Sequence, residues 1–142
     1  MEFLVKSLWE QISQPSIRDY VRDPDPESLP PITGDCYEAA ANYMANNCLI
    51  NPDCGLILVH GEVAGQGPLE GMTYGHAWVL KGSVVVDKSN GRNLALPKQI
   101  YYAIGGIDQI GNVHTYTWID ARKKILEFEH YGPWDLVTES GY

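Results

Sequence analysis

Apolar positions along this chain follow two periods, and the switch between them divides it into a helical opening, a strand-rich middle and a helical close. Leu4, Leu8 and Ile12 recur every four residues with Phe3 and Val5 alongside, which predicts an amphipathic helix over 2–14 ended by Pro15. Ile17, Tyr20 and Val21 predict a further short helical turn. Residues 23–34 have no period and hold four prolines, so they read as a stiff, extended strap leading across the surface to Cys36. A second helix is predicted from Cys36 to about Asn47, with Asp35 as its cap and Glu38 as the capping-box partner. Its buried face is predicted to carry Cys36, Ala39, Ala40, Tyr43 and Met44.

Beyond the turn-forming Asn51–Gly55 the period changes to that of strands. Residues 56–63, 72–80 and 83–87 read as three strands, with a loop over 65–71 and a tight Lys81–Gly82 turn between the last two. Pro97 opens a helix over 97–104 that Gly105 and Gly106 stop. A fourth strand is expected over 112–117. Thr117 then caps a last helix, with Asp120 as box partner, running to about His130 before Gly132 and Pro133. No internal repeat or low-complexity segment appears. Helices, an antiparallel meander and a closing helix predict one α+β domain over 1–142. Residues 1–33 supply the N-terminal helix and strap, and 34–142 a core in which a helix packs on an antiparallel sheet.

A hydrophobic share of 44% in 142 residues is enough for one real core. The net charge of −8 excludes nucleic acid and anionic membranes as natural partners. Arg122, Lys123 and Lys124 are the densest basic run, but Asp120, Glu127 and Glu129 flank them, as on a solvated helix face. No stretch approaches the roughly 18 apolar residues of a membrane span. Glu2 and the lack of an apolar run with a small-residue cleavage site lead to the expectation of no secretory leader. With an odd count of cysteines (Cys36, Cys48, Cys54), the expectation is reduced thiols in the cytoplasm in preference to a disulfide framework, with a Cys48–Cys54 bridge as the alternative.

The candidate chemistry lies in three stretches. Gly-Asp-Cys-Tyr-Glu-Ala-Ala-Ala (34–41) puts Cys36 at a helix start, where the partial positive charge favours a thiolate and free amides can receive an oxyanion. Tyr-Gly-His-Ala-Trp (74–78) puts His76 on a strand face shared with Tyr74, Trp78 and Leu80. Val-Val-Val-Asp (84–87) ends the next strand in Asp87, and counting back from the turn sets Asp87 near His76 across the hairpin. A thiol, an imidazole and a carboxylate are the nucleophile, base and orienter of a cysteine acyl-transfer site. Gly75, Trp78 and Asn90 are the candidate substrate-binding residues. Asn90 is also the fallback orienter, because amides replace carboxylates in some Cys-His sites.

The glycine-x-Cys-x-x-x-Ala helix start, the His-Ala-Trp strand and the aspartate closing the following strand resemble the transglutaminase-like branch of the papain-type cysteine enzymes. The resemblance covers about 34 to 91. It implies a papain/transglutaminase-like fold, with Cys36 as nucleophile, His76 as base and Asp87 as orienter. It further implies hydrolysis of an amide, peptide or isopeptide bond through a Cys36 thioester, with a protein or peptide as substrate. Glutamine deamidation or transglutamination would use the same three residues. A papain-type oxyanion glutamine would have to be Gln11 or Gln14, both before the strap.

Each residue also has a plainer reading: a non-catalytic binding module would carry Cys36 as a small core residue and Asp87 as a turn residue. His60, His114 and His130 read as structural, and Tyr-Gly-Pro-Trp-Asp (131–135) as a turn sealing the core. Cys48 and Cys54 lack the paired short spacings of a zinc site, and the Gly65/Gly67 and Gly105/Gly106 pairs punctuate loops, so no metal or cofactor is expected.

Overall fold

Valine- and leucine-rich runs separated by glycine turns form five strands, one more than the periodicity predicts. The computed structural model describes residues 35–138. The predicted helix over 2–14, the turn around Ile17–Val21 and the strap over 23–34 lie outside them, as do Gln11 and Gln14. In chain order the elements are α1 (Cys36–Asn47), β1 (Ile57–Ala64), β2 (Thr73–Lys81), β3 (Val84–Asp87), β4 (Leu94–Pro97), α2 (Lys98–Gly105), α3 (Ile107–Ile110), β5 (Val113–Thr117) and α4 (Trp118–Phe128). Single 3-10 turns occupy Gly67–Leu69 and Ser89–Gly91. The strands form one antiparallel sheet in the order β4-β3-β2-β1-β5. The class is α+β.

β4 escapes the sequence pattern because it is short: Leu94 and Leu96 point inward, Ala95 and Pro97 outward. It pairs with β3 from the sheet edge, where a proline is tolerated. Pro97 therefore closes a strand and caps α2; it is not inside the helix.

Both faces of the sheet are covered, which is why β1 is buried along almost its whole length, His60 and Glu62 included. On one face α1 and Ala121 of α4 pack on Leu58, Ala77, Val79, Val86 and Tyr116. On the other, Tyr101, Tyr102 and Ile107 pack on Val59, Val63, Trp78, Val85, Leu94 and Leu96. The buried row of α1 is Cys36, Ala40 and Met44, four residues apart, with Cys48 continuing it and Tyr37 and Ala41 beside it. Ala39 and Tyr43, expected on that face, are only half-buried. The small Ala40 and Ala41 let the helix approach the sheet closely.

The structure corrects two further expectations here. The Asp35 side chain makes no cap hydrogen bond to α1, because it is engaged elsewhere, as described below. Cys48 and Cys54 are joined by a disulfide with Cα atoms 5.3 Å apart, which leaves Cys36 as the free cysteine. The odd count misled because it cannot tell a bonded pair plus one free thiol from three reduced thiols.

Thr117 caps α4 by accepting the Asp120 N–H. The helix ends at Phe128, two residues before the expected end, with Glu129 left-handed at φ 60. The 131–135 segment does seal the core: Trp134 lies against Tyr116 and His60. No helix among the described residues is long and apolar enough to cross a membrane.

Candidate active site

β2 and β3 are joined by a two-residue loop, Gly82–Ser83, closed by the Lys81–Val84 pair. Gly82 takes φ 62 at the first loop position, where a hairpin of this length favours glycine. The loop sits one residue later than the sequence placed it, so every cross-strand partner shifts by two. Asp87 therefore falls opposite Trp78, with His76 diagonal to it on the same face. A two-residue shift preserves the face, and diagonal neighbours on one face remain within reach of long side chains.

The contact forms. His76 Nε2 stands 3.0 Å from Asp87 Oδ2, with both groups buried. The carboxylate takes three more hydrogen bonds. Tyr101 O–H donates to Oδ2 at 2.8 Å, and the Ser89 N–H and Oγ–H donate to Oδ1 at 2.9 and 2.5 Å. The Arg92 guanidinium is 3.7 Å from Oδ2. Burial works against ionisation of Asp87, but the imidazole's charge and hydrogen bond, the Arg92 charge and the Ser89 hydrogen bond prevail, and its pKa is held well below the carboxylate range. Burial raises the Tyr101 pKa, and the adjacent Asp87 raises it further, so its hydroxyl stays a donor.

His76 has two distinct sides. Nε2 is committed to Asp87, while Nδ1 is buried with no hydrogen-bond partner. The Cys36 thiol is close enough to act on this ring. Burial disfavours the imidazolium, yet the Asp87 charge and hydrogen bond, followed by the influence of the Cys36 thiol, lift the pKa to about 10. Cys36 stands at the first position of α1, 1% exposed. β3 ends at Asp87, so β2 is without that neighbour beyond Trp78, and the start of α1 meets β2 there.

The turn after Asp87 fixes that meeting. The Asn90 N–H donates to both Asp35 oxygens, at 2.9 and 3.0 Å. Asn90 holds φ 53, a left-handed conformation that asparagine tolerates. Asn90, expected to bind substrate or stand in as orienter, thus uses its backbone as a tether between the turn and the start of α1. Trp78 is wholly buried in the second core, its Nε1–H donating to Tyr102 Oη at 3.3 Å. Gly75 is buried in β2 opposite Glu62. The structure therefore brings Cys36, His76 and Asp87 together, and packs Trp78 in the second core against Tyr101 and Tyr102.

Sequence reasoning did not find Tyr101, Ser89 and Arg92 around Asp87, nor the Asp35–Asn90 bond. Ser89 alone had a signal: a serine two residues after an aspartate is a common Asx-turn arrangement. His60, read as structural, is fully buried with neither ring nitrogen bonded, among Tyr37, Tyr116 and Trp134. Burial, aided by His114, lowers its pKa to about 3. Among the described residues no group of three or more His, Cys, Asp or Glu side chains is placed to hold a metal ion. No protein-family model, curated protein or solved structure matches this chain.

Proposed function

We propose that this chain is a cysteine-dependent acyl-transfer enzyme of the transglutaminase/papain type, hydrolysing an amide, peptide or isopeptide bond in a protein or peptide substrate. The observation that carries the reading is the buried His76–Asp87 pair whose second ring nitrogen is unbonded beside Cys36. His60 is also buried with unbonded ring nitrogens, but it has no hydrogen-bonded carboxylate among the described residues; His76 is distinguished by Asp87 on one nitrogen and by the Cys36 thiol acting on the ring.

In this reading Cys36 gives its proton to His76 Nδ1 and attacks the acyl carbon as the thiolate, forming a C–S bond as the carbonyl π pair moves to oxygen. The first-turn amides of α1, which the Asp35 side chain does not cap, receive that oxyanion. Collapse breaks the C–N bond, and His76 Nδ1 gives its proton to the departing amine. Water then attacks the thioester, losing a proton to Nδ1, and Cys36 leaves as thiolate. An amine in place of water gives transamidation, and a glutamine side chain as substrate gives deamidation. Asp87, Tyr101 and Ser89 keep the ring oriented throughout. The cytoplasmic setting expected from the cysteine count loses its support, since the Cys48–Cys54 bridge favours an oxidising compartment.

One observation favours the competing reading, a non-catalytic module: the 1% exposure of Cys36. Alkylation separates the two. Cys36 is the free cysteine, so iodoacetamide uptake in the full chain, mapped by mass spectrometry, reads one site. Replacing His76 with Ala opens space beside the sulfur, which by access alone would speed labelling. The enzyme reading expects the opposite, a fall of about tenfold or more near pH 6–7. Labelling that is equal or faster in His76→Ala leaves a binding module.

A further inference from the structure

Asp35 and Asp87 are held by consecutive amides of one turn. Ser89 N–H donates to the Asp87 carboxylate and Asn90 N–H to that of Asp35, while Arg92 N–H closes the turn on the Ser89 carbonyl at 2.9 Å. Asp35 precedes the candidate nucleophile, and Asp87 orients the candidate base. Two adjacent peptide units therefore connect the strand end that carries the orienter to the helix start that carries the thiol, across 55 residues of sequence.

The choice of bond is informative. An aspartate at a helix start ordinarily folds back onto the amides of its own first turn. Here both of its oxygens accept the Asn90 N–H, and no side-chain bond caps α1. The α1 amides are thereby left for the acyl oxygen, and the helix is anchored from outside. The Asn90 backbone is set for this: its φ of 53 aims the amide, and the neighbouring Gly91 continues the left-handed turn at φ 75. The Lys88 ammonium, over the Tyr43 ring of α1 and hydrogen-bonded to Asn93, braces the same turn against the same helix.

We infer that Asp35 is a positioning residue for Cys36: through the Asn90 amide it sets the distance between the thiol and His76. The inference rests on the acyl-transfer reading of the site. The bond is a charge-assisted, part-buried one, so its loss displaces the helix start where the thiol–imidazole contact tolerates little displacement.

The test is the pH profile of iodoacetamide labelling of Cys36 in the full chain, for wild type, Asp35→Ala, Asp35→Asn, His76→Ala and Asp35→Ala/His76→Ala. Asp35→Ala is expected to label about tenfold more slowly near pH 6–7, with its profile moved toward that of His76→Ala. Asp35→Asn, which keeps an acceptor oxygen for the Asn90 N–H, restores most of the rate. In the His76→Ala background Asp35→Ala adds no further loss. A purely structural role would lower the melting temperature and leave the pH profile in place. An unchanged profile in Asp35→Ala, or a loss in Asp35→Asn as deep as in Asp35→Ala, overturns the inference. Should Asp35→Ala not fold, hydrogen exchange at the Asn90 amide of the wild-type chain decides: protection supports the tether, and exchange at the rate of an open loop overturns it. If His76→Ala labels like wild type, the acyl-transfer reading itself fails. If His76→Ala is slow and Asp35→Ala is not, only the Asp35 inference fails.

Discussion

Asp87 accepts four hydrogen bonds on two oxygens and faces Arg92 as well, so its charge is compensated even when His76 is neutral. The stability consequences follow from the directions of the two shifts. His76 has its folded pKa raised from 6.5 to about 10. Its contribution is fully present below pH 6.5 and is lost as pH rises toward 10. Asp87 has its folded pKa depressed from 3.8, so its contribution is present above that value and is lost only in strong acid. Between neutrality and pH 10 only the imidazole of this pair titrates. Asp87→Asn is expected to cost about 3 kcal/mol or more at neutral pH. It should also flatten the alkaline decline in urea stability that wild type shows. An alkaline slope that persists unchanged in the variant would remove the coupling argued here.

At the scale of elements, α1 works through its two ends. Its start presents the thiol, and its end is tied by the Cys48–Cys54 bridge, whose loop tip exposes Leu49 and Ile50 almost completely. Closing a loop this short stabilises by about 2 kcal/mol in the chain-entropy account. Cys54→Ser is therefore expected to lower thermal stability by about that amount. Cys36 labelling should keep its wild-type rate, because the bridge lies a full helix length away. A variant that melts like wild type would show the bridge to be without effect on stability.

The same elements show what the sequence could and could not disclose. Helix α1 and the hairpin were legible because the thiol's helix carries a local apolar face and the strands have dense β-branched runs. The His76–Asp87 contact was legible although the loop lay one residue off, because partners then move by two and keep their face. Asp35 was misread because its true partner lies 55 residues on, where no local rule reaches. Tyr101 was missed for the same reason: it meets Asp87 only after β4, itself too short to show a period, has turned α2 onto the sheet.

At the scale of the whole molecule, His76 and His60 are held in opposite conditions. His76 is held charged by a carboxylate, whereas His60 is held neutral in an aromatic enclosure, its pKa lowered from 6.5 to about 3. The groups that act on His60 are His114 on β5, and His130 and Asp135 in the C-terminal segment. In the unfolded chain His60 takes up a proton near 6.5, and in the folded chain only near 3. Folding stability therefore falls as pH drops through that window. His60→Leu is expected to flatten the acid decline between pH 6.5 and 3 while leaving the alkaline one intact. Equal acid slopes for the two chains, read from urea midpoints, would refute this. Gly132 marks how closely the segment is seated: a Cβ there would come within 2.5 Å of the His60 ring.

In the acyl-transfer reading, the turn joining Asp87 to Asn90 also bears on when the thiol becomes reactive. His76 and Asp87 lie 11 residues apart, on two strands joined by a tight turn. The tether that seats the thiol beside them spans 55. The longer closure carries an entropy penalty greater by on the order of 1 kcal/mol, and it has no template until the hairpin exists. An emerging chain thus completes its imidazole–carboxylate pair first and carries an ordinary cysteine until the helix docks. The fold works as a safety catch, released by its own completion.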